Sequence, residues 1–175
     1  MKYGKAQISG LDLILALMLF FTVIFLFLVM WDVVQYNVRS SADADVIAIQ
    51  VANKLLDSPG YPMNWTAATC IGQSCVIGLS MERGVIDSSR FGNLIELNNS
   101  PENYTIARAL LGMGQYQFYI NMTYVNSTFI VINGKPAECG ILPGNATSVS
   151  GVRRTVLYWN GMNRGKVFLN VIVWK

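Results

Sequence analysis

Hydrophobic and polar residues follow three successive patterns along this chain. From Leu13 to Trp31 the apolar run is continuous: in LILALMLFFTVIFLFLVMW, Thr22 is the only polar side chain among 19 residues. Such a run matches the roughly 20 residues that a helix needs to cross about 30 Å of hydrocarbon. In the second pattern Val38, Ala42, Ile49, Ala52 and Leu56 recur at helical spacing, while Arg39, Asp43 and Lys54 lie mostly off that stripe. This spacing predicts an amphipathic helix whose apolar stripe packs on the domain that follows. After Pro59 short apolar runs alternate with Gly, Asn and Ser, the texture of strands and turns.

Between Gly10 and Pro59 there is neither glycine nor proline. The first two patterns are therefore expected to form one helix, bounded by Ser9-Gly10 and Ser58-Pro59-Gly60. At about 1.5 Å per residue it would be about 70 Å long, more than twice a bilayer core. Farther on, Tyr116–Tyr124 and Thr128–Ile132 are predicted to pair as strands, followed by a turn at Asn133-Gly134. Val152–Trp159 and Lys166–Trp174 form a second predicted pair, and helices are expected at Met81–Leu97 and Glu102–Leu111. Pro59, Gly60 and Pro62 turn the chain after the long helix, and Trp65 is expected to enter the new core. The predicted class is α+β: a long N-terminal hydrophobic helix followed by a β-rich globular head of about 115 residues, enough to bury one core.

Composition narrows the chemistry. The chain has 175 residues, 53% of them hydrophobic and only 13% charged, with 13 basic and 10 acidic side chains and no histidine. Without imidazole there is no histidine general base, no Ser-His-Asp triad and none of the commonest metal-ligand sets. Asp12, Asp32, Asp43, Asp45 and Asp57 lie in the N-terminal segment, and the other acids are scattered with no close pair. The chain is read as a non-enzyme with no catalytic, cofactor or metal residues. Lys2 and Lys5 precede the apolar run, so the positive-inside rule puts the N-terminus in the cytoplasm and the part after residue 31 outside. The apolar core exceeds that of a secretory signal peptide, and Met30-Trp31-Asp32-Val33 is not a small-residue cleavage site. The hydrophobic stretch is expected to be retained.

The string Lys5-Ala6-Gln7-Ile8-Ser9-Gly10-Leu11-Asp12, running straight into the apolar helix, resembles a class III (type IV prepilin) signal in its archaeal form. In that family a membrane peptidase cuts after a small residue, ahead of the hydrophobic helix. The resemblance implies processing between Ala6 and Gln7, with a leader at 1–6, a long helix at 7–58 and an extracellular head at 59–175. Gln7 and Ser9 match the archaeal pattern of Gln, any residue, Ser, any residue, Glu, whereas the carboxylate here is Asp12, one position later. The resemblance further implies that Gln7 and Asp12 act in assembly, the acid pairing with the free N-terminal amine of a neighbouring subunit. An acid costs roughly 2.5–3.5 kcal/mol at the centre of a membrane helix and less toward its end, where Asp12 lies. Bacterial pilins usually start with Phe-Thr-Leu-Ile-Glu and archaeal flagellins with a Gly-Ile-Gly-like segment, neither of which is present. A looser likeness to archaeal pilin-like surface proteins covers Leu55–Trp65 and Ile77-Gly78-Leu79.

Acceptor triplets Asn-x-Ser/Thr begin at Asn64, Asn98, Asn103, Asn121, Asn126 and Asn145, where random placement would give roughly two. All six lie in the part placed outside and are candidate glycosylation sites; Asn98 is the weakest, because Pro101 follows its Ser100. Cys70 and Cys75 flank a tight loop that a disulfide could close outside the reducing cytosol. Pairing of Cys139 with either remains an alternative, and a buried free thiol is its default. After Glu138 come Arg153, Arg154, Arg164, Lys166 and Lys175 with no acid, interleaved with Tyr158, Trp159 and Trp174. A solvated hairpin face is favoured there over contact with nucleic acid or an acidic coat.

These features lead to the expectation of a structural subunit of an archaeal type IV pilus-like surface filament, acting in adhesion. Such a subunit is a homo-oligomer assembled through its N-terminal helix, cut by a prepilin peptidase and membrane-inserted before assembly. The alternatives are a minor pilin or pseudopilin binding DNA or another ligand, and a membrane-anchored extracellular binding domain that never polymerises.

Overall fold

The computed structural model describes residues 4–72 and 74–175, apart from the side chains of residues 4–9 and 37–41. The fold is α+β, a long N-terminal apolar helix followed by a β-rich head. It forms two compact units, Met1–Ser40 and Ser41–Lys175. Helix α1 (Gly4–Asp57) begins in the first and ends in the second. It stops where Ser58-Pro59-Gly60 predicts, but Gly10 lies inside it rather than at its start. A lone glycine costs about 1 kcal/mol in a helix interior, too little to interrupt a run of strong helix formers. Within the first unit, the stretch Gly10–Tyr36 is long and apolar enough to cross a membrane, and its most apolar window is wholly unburied.

The second unit adds α2 (Ala67–Gly72), α3 (Ser88–Leu97) and α4 (Pro101–Leu111) to a six-stranded sheet. Its strands are β1 (Ser80–Glu82), β2 (Val85–Asp87), β3 (Gln117–Tyr124), β6 (Glu138–Gly140), β7 (Val149–Trp159) and β8 (Arg164–Trp174), in the order β1-β2-β7-β8-β3-β6. Every pairing is antiparallel except β2 with β7. The short strands β4 (Val131–Ile132) and β5 (Lys135–Pro136) form a separate hairpin. Its turn is Asn133-Gly134, both at positive φ (51° and 77°), as this turn type requires.

One face of the sheet makes the core. Val167, Leu169, Val171 and Val173 of β8 alternate inward with Phe118, Ile120 and Met122 of β3, and all are buried. They share a single cluster with Phe91 and Leu94 of α3, Ala107 and Leu111 of α4, and the last turns of α1. Helix α4 has complete end chemistry: the Ser100 hydroxyl accepts from the Asn103 N–H, Pro101 opens the first turn, and Gly112 at φ 80° closes the last.

The structure changes three sequence expectations about elements. The α1 stripe that packs on the head is Ala44, Ala48, Val51, Ala52 and Leu55, all buried, whereas Ala42 and Ile49 are exposed and Leu56 is half-buried. Val38 lies outside the described side chains. Contact through alanines lets the helix approach closely, so the small residues won the buried face. The first part of the expected helix Met81–Leu97 is the β1–β2 hairpin, turning at Arg83-Gly84 with Gly84 at φ 78°. Asp87 then caps α3 by accepting from the Ser89 N–H at 3.0 Å. Finally, Thr128–Ile132 meets β3 only through a bridge at Thr123–Phe129; β3 pairs instead with β8 and β6.

Candidate assembly helix and head surface

In the first unit the chemistry is simple. Large apolar side chains from Leu11 to Val34 are exposed around the whole helix circumference. The one polar side chain of the run, Thr22, donates its hydroxyl to the Met18 carbonyl at 2.8 Å, so it presents no unsatisfied donor to an apolar environment. Asp12 is exposed, immediately ahead of Leu13. Ala6 and Gln7 fall among the side chains outside the described residues.

In the head, none of the helices among the described residues packs on the outer face of the β7–β8 hairpin, whose side chains are exposed or half-buried. Strand alternation turns Arg153, Thr155 and Leu157 of β7 and Arg164, Lys166 and Phe168 of β8 to this side, with Leu157 42% exposed. A polar row crosses three strands. Arg153 Nε donates to Asn170 Oδ1 at 2.7 Å, and Asn170 Nδ2 donates to Asn121 Oδ1 at 2.7 Å. Arg153 also lies over the Phe168 ring at 5.2 Å, and Arg164 over Trp159 at 5.7 Å. Arg164 reaches Glu82 at 3.6 Å in an exposed ion pair. Arg154 has the opposite parity and donates to Asn53 Oδ1 of α1 at 3.3 Å. The basic run of the sequence is thus split between the two faces. No sequence signal marked the Asn121–Asn170–Arg153 row, because it depends on the register of three strands.

The six acceptor asparagines fall into two groups. Asn64, Asn126 and Asn145 are exposed. Asn126 Oδ1 accepts from both the backbone N–H (3.2 Å) and the hydroxyl (2.7 Å) of Thr128, which leaves its amide nitrogen free. Asn98, Asn103 and Asn121 are half-buried. Asn98 Oδ1 is buried without a partner, and its Ser100 hydroxyl is taken up as the cap of α4.

Cys70 and Cys75 are joined in a disulfide with Cα atoms 5.1 Å apart. Cys139 is a buried free thiol whose sulfur lies 3.5 Å from the Leu94 carbonyl, and burial pushes its pKa well above the ordinary thiol range. Several open grooves lie on the head. One of about 360 Å³ lies between Asn98, Lys135 and Glu138, beside Tyr119. There the Tyr119 hydroxyl donates to Glu138 Oε2 at 2.6 Å; burial and this carboxylate both raise the tyrosine pKa. Among the described residues no three His, Cys, Asp or Glu side chains are grouped to hold a metal.

No family model matches the chain, and no solved structure does either. An uncharacterized protein of Archaeoglobus fulgidus is 31% identical over 147 residues, covering 75% of this chain and 76% of that protein. At that identity and coverage of both partners, the chain belongs to the same family as this archaeal protein.

Proposed function

We propose that this chain is a structural subunit of an archaeal type IV pilus-like surface filament, assembled through its N-terminal helix and acting in adhesion. The observation that carries the reading is the Gly10–Tyr36 stretch, apolar on every side and unburied in its own chain. Such a helix needs lipid, or a bundle of equally apolar helices, around it. An acid at its start, Asp12, and the Ala6-Gln7 junction just before it fit a helix that moves from the first environment to the second after cleavage. The acid then offers a partner for the new amine of a neighbour, which removes the cost of leaving either charge alone in an apolar bundle. The disulfide in the head and the exposed Asn-x-Ser/Thr triplets support an extracellular location for it.

Asp12→Ala tests the reading. A subunit should still insert in the membrane and fold its head, yet surface filaments seen by electron microscopy should disappear. Filaments of normal number and length in this variant would overturn the assembly role. If the wild-type chain also gives no filaments and keeps residues 1–6, the membrane-anchored binding domain takes its place.

A further inference from the structure

The last turns of α1 turn an unexpected face to solvent. Val46 and Ile49 are 53% and 43% exposed, and the exposed acids Asp43, Asp45 and Asp57 lie around them. Within the stretch Lys54 is committed elsewhere, its ammonium donating to the Leu110 carbonyl at 2.7 Å, and the one cation at the face is Arg154 of β7, which donates to Asn53 Oδ1 at 3.3 Å. The opposite side of the same helix is buried through Ala44, Ala48 and Leu55 in the core that the inner face of the sheet also lines. The uncovered outer face of β7 and β8 is the counterpart in chemistry: Arg153, Arg164 and Lys166 stand around exposed Leu157 and half-buried Phe168. One patch is acidic around two aliphatic side chains, and the other is basic around an aliphatic and an aromatic one.

We propose that these two patches are a head-to-head docking pair between copies of this chain: the Asp43–Asp57 face of one copy seats on the Arg153–Lys166 sheet face of the next. Charge complementarity selects the occupant, because the three carboxylates meet Arg153 and Lys166 around apolar centres, Arg164 being already paired with Glu82. Two different patches make the contact heterologous, so in a docked pair one copy keeps a free basic patch and the other a free acidic patch, and further copies can add at either end. Exposed ion pairs each contribute little, so the contact acts by setting register and orientation while apolar burial supplies most of the affinity. The inference rests on the subunit reading above for its setting, but its test does not require filaments.

The test is zero-length carbodiimide coupling of full-length chain reconstituted at high density in phosphatidylcholine vesicles, from an equal mixture of ¹⁴N- and ¹⁵N-labelled protein. The expected product is a mixed-isotope peptide joining Lys166 to Asp43 or Asp45. Arg153→Glu, which leaves the Lys166 amine in place, should lower intermolecular coupling of Lys166 to Asp43 or Asp45 at least about tenfold, whereas Lys166→Glu removes the coupling amine itself. Combining Lys166→Glu with Asp45→Lys should restore coupling between positions 166 and 45 with the two chemistries exchanged. Wild-type cross-links that are absent, confined to one isotope, or located elsewhere would overturn the docking pair. So would protection of Lys166 only on adding a polyanion such as DNA, which would assign the sheet face to an acidic ligand instead. Filaments that persist without the cross-link would remove this contact and leave the assembly helix standing.

Discussion

The indole N–H of Trp65 donates to the Gly78 carbonyl at 3.0 Å, and both residues are held against the end of α1. The Leu79 N–H donates to the Leu55 carbonyl at 2.9 Å, so the segment after Gly78 runs directly across the last helical turn. A Cβ on Gly78 would enter the Ser58 carbonyl oxygen and the Gly60 nitrogen. Trp65 itself is 1% exposed. Trp65→Phe, which keeps a ring but strands the buried carbonyl, should cost about 1–3 kcal/mol. Gly78→Ala should cost at least as much, because the obstacle is backbone on both sides. Thermal unfolding of the full chain in detergent, followed by near-ultraviolet circular dichroism, reads both.

Arg90 does related work from α3. Its Nη1 donates to the carbonyls of Pro59 and Ser80, each at 2.6 Å, and its Nε lies 3.8 Å from Asp87. One guanidinium thus joins the chain that leaves α1 to strand β1. Arg90→Met should destabilise the head by about 2–3 kcal/mol, since two carbonyls lose a charged donor. Arg90→Lys should recover only part of this, because an ammonium lacks the planar fork. The same unfolding experiment checks it; equal stability of Arg90→Met and wild type would contradict the bridging role.

Alkaline pH should weaken the head. Burial raises the pKa of Cys139, Tyr104 and Tyr158 in the folded state. The unfolded chain therefore releases these protons first, and stability is fully present below the unfolded thiol value of about 8.5. It should decline as pH rises above that value, and more steeply above about 10 as the tyrosines join. Cys139→Ala should remove the first part of the decline. Unfolding midpoints measured from pH 7 to 11 give the sign directly, and a maleimide should label Cys139 only when the head is unfolded.

The exposure of the acceptor asparagines predicts an uneven pattern of modification. Asn64, Asn126 and Asn145, all exposed, should carry covalent mass on chains from native cells, while Asn98 and Asn121, both half-buried, should not. Peptide mass analysis at each triplet decides. Sugar on Asn121 with none on the three exposed asparagines would contradict this pattern.

Local signals carried much of the fold. The glycine- and proline-free stretch ending at Ser58, the Asn133-Gly134 turn, the helix at Glu102–Leu111 and the terminal strand pair each rest on local signals, and each stands in the structure as expected. What was not legible depends on distant partners. Which side of α1 faces the head was misread because hydrophobicity favoured Ile49 over Ala44 and Ala48, whereas packing favoured size. The hairpin at Ser80–Asp87 was hidden because β2 is stabilised by parallel pairing with β7, some 70 residues away. The basic run after Glu138 looked like one patch, and strand parity divides it between Arg153 outside and Arg154 against Asn53. The assembly role proposed for Ala6, Gln7 and Asp12 rests on a short motif alone, and such a role would act between chains rather than within one.

The most direct measurement is the N-terminus and mass of this protein in surface material sheared from native cells. The account predicts a chain beginning at Gln7, enriched in the sheared fraction and heavier than its sequence. A chain still beginning at Met1 and confined to membranes would contradict the filament reading at its root.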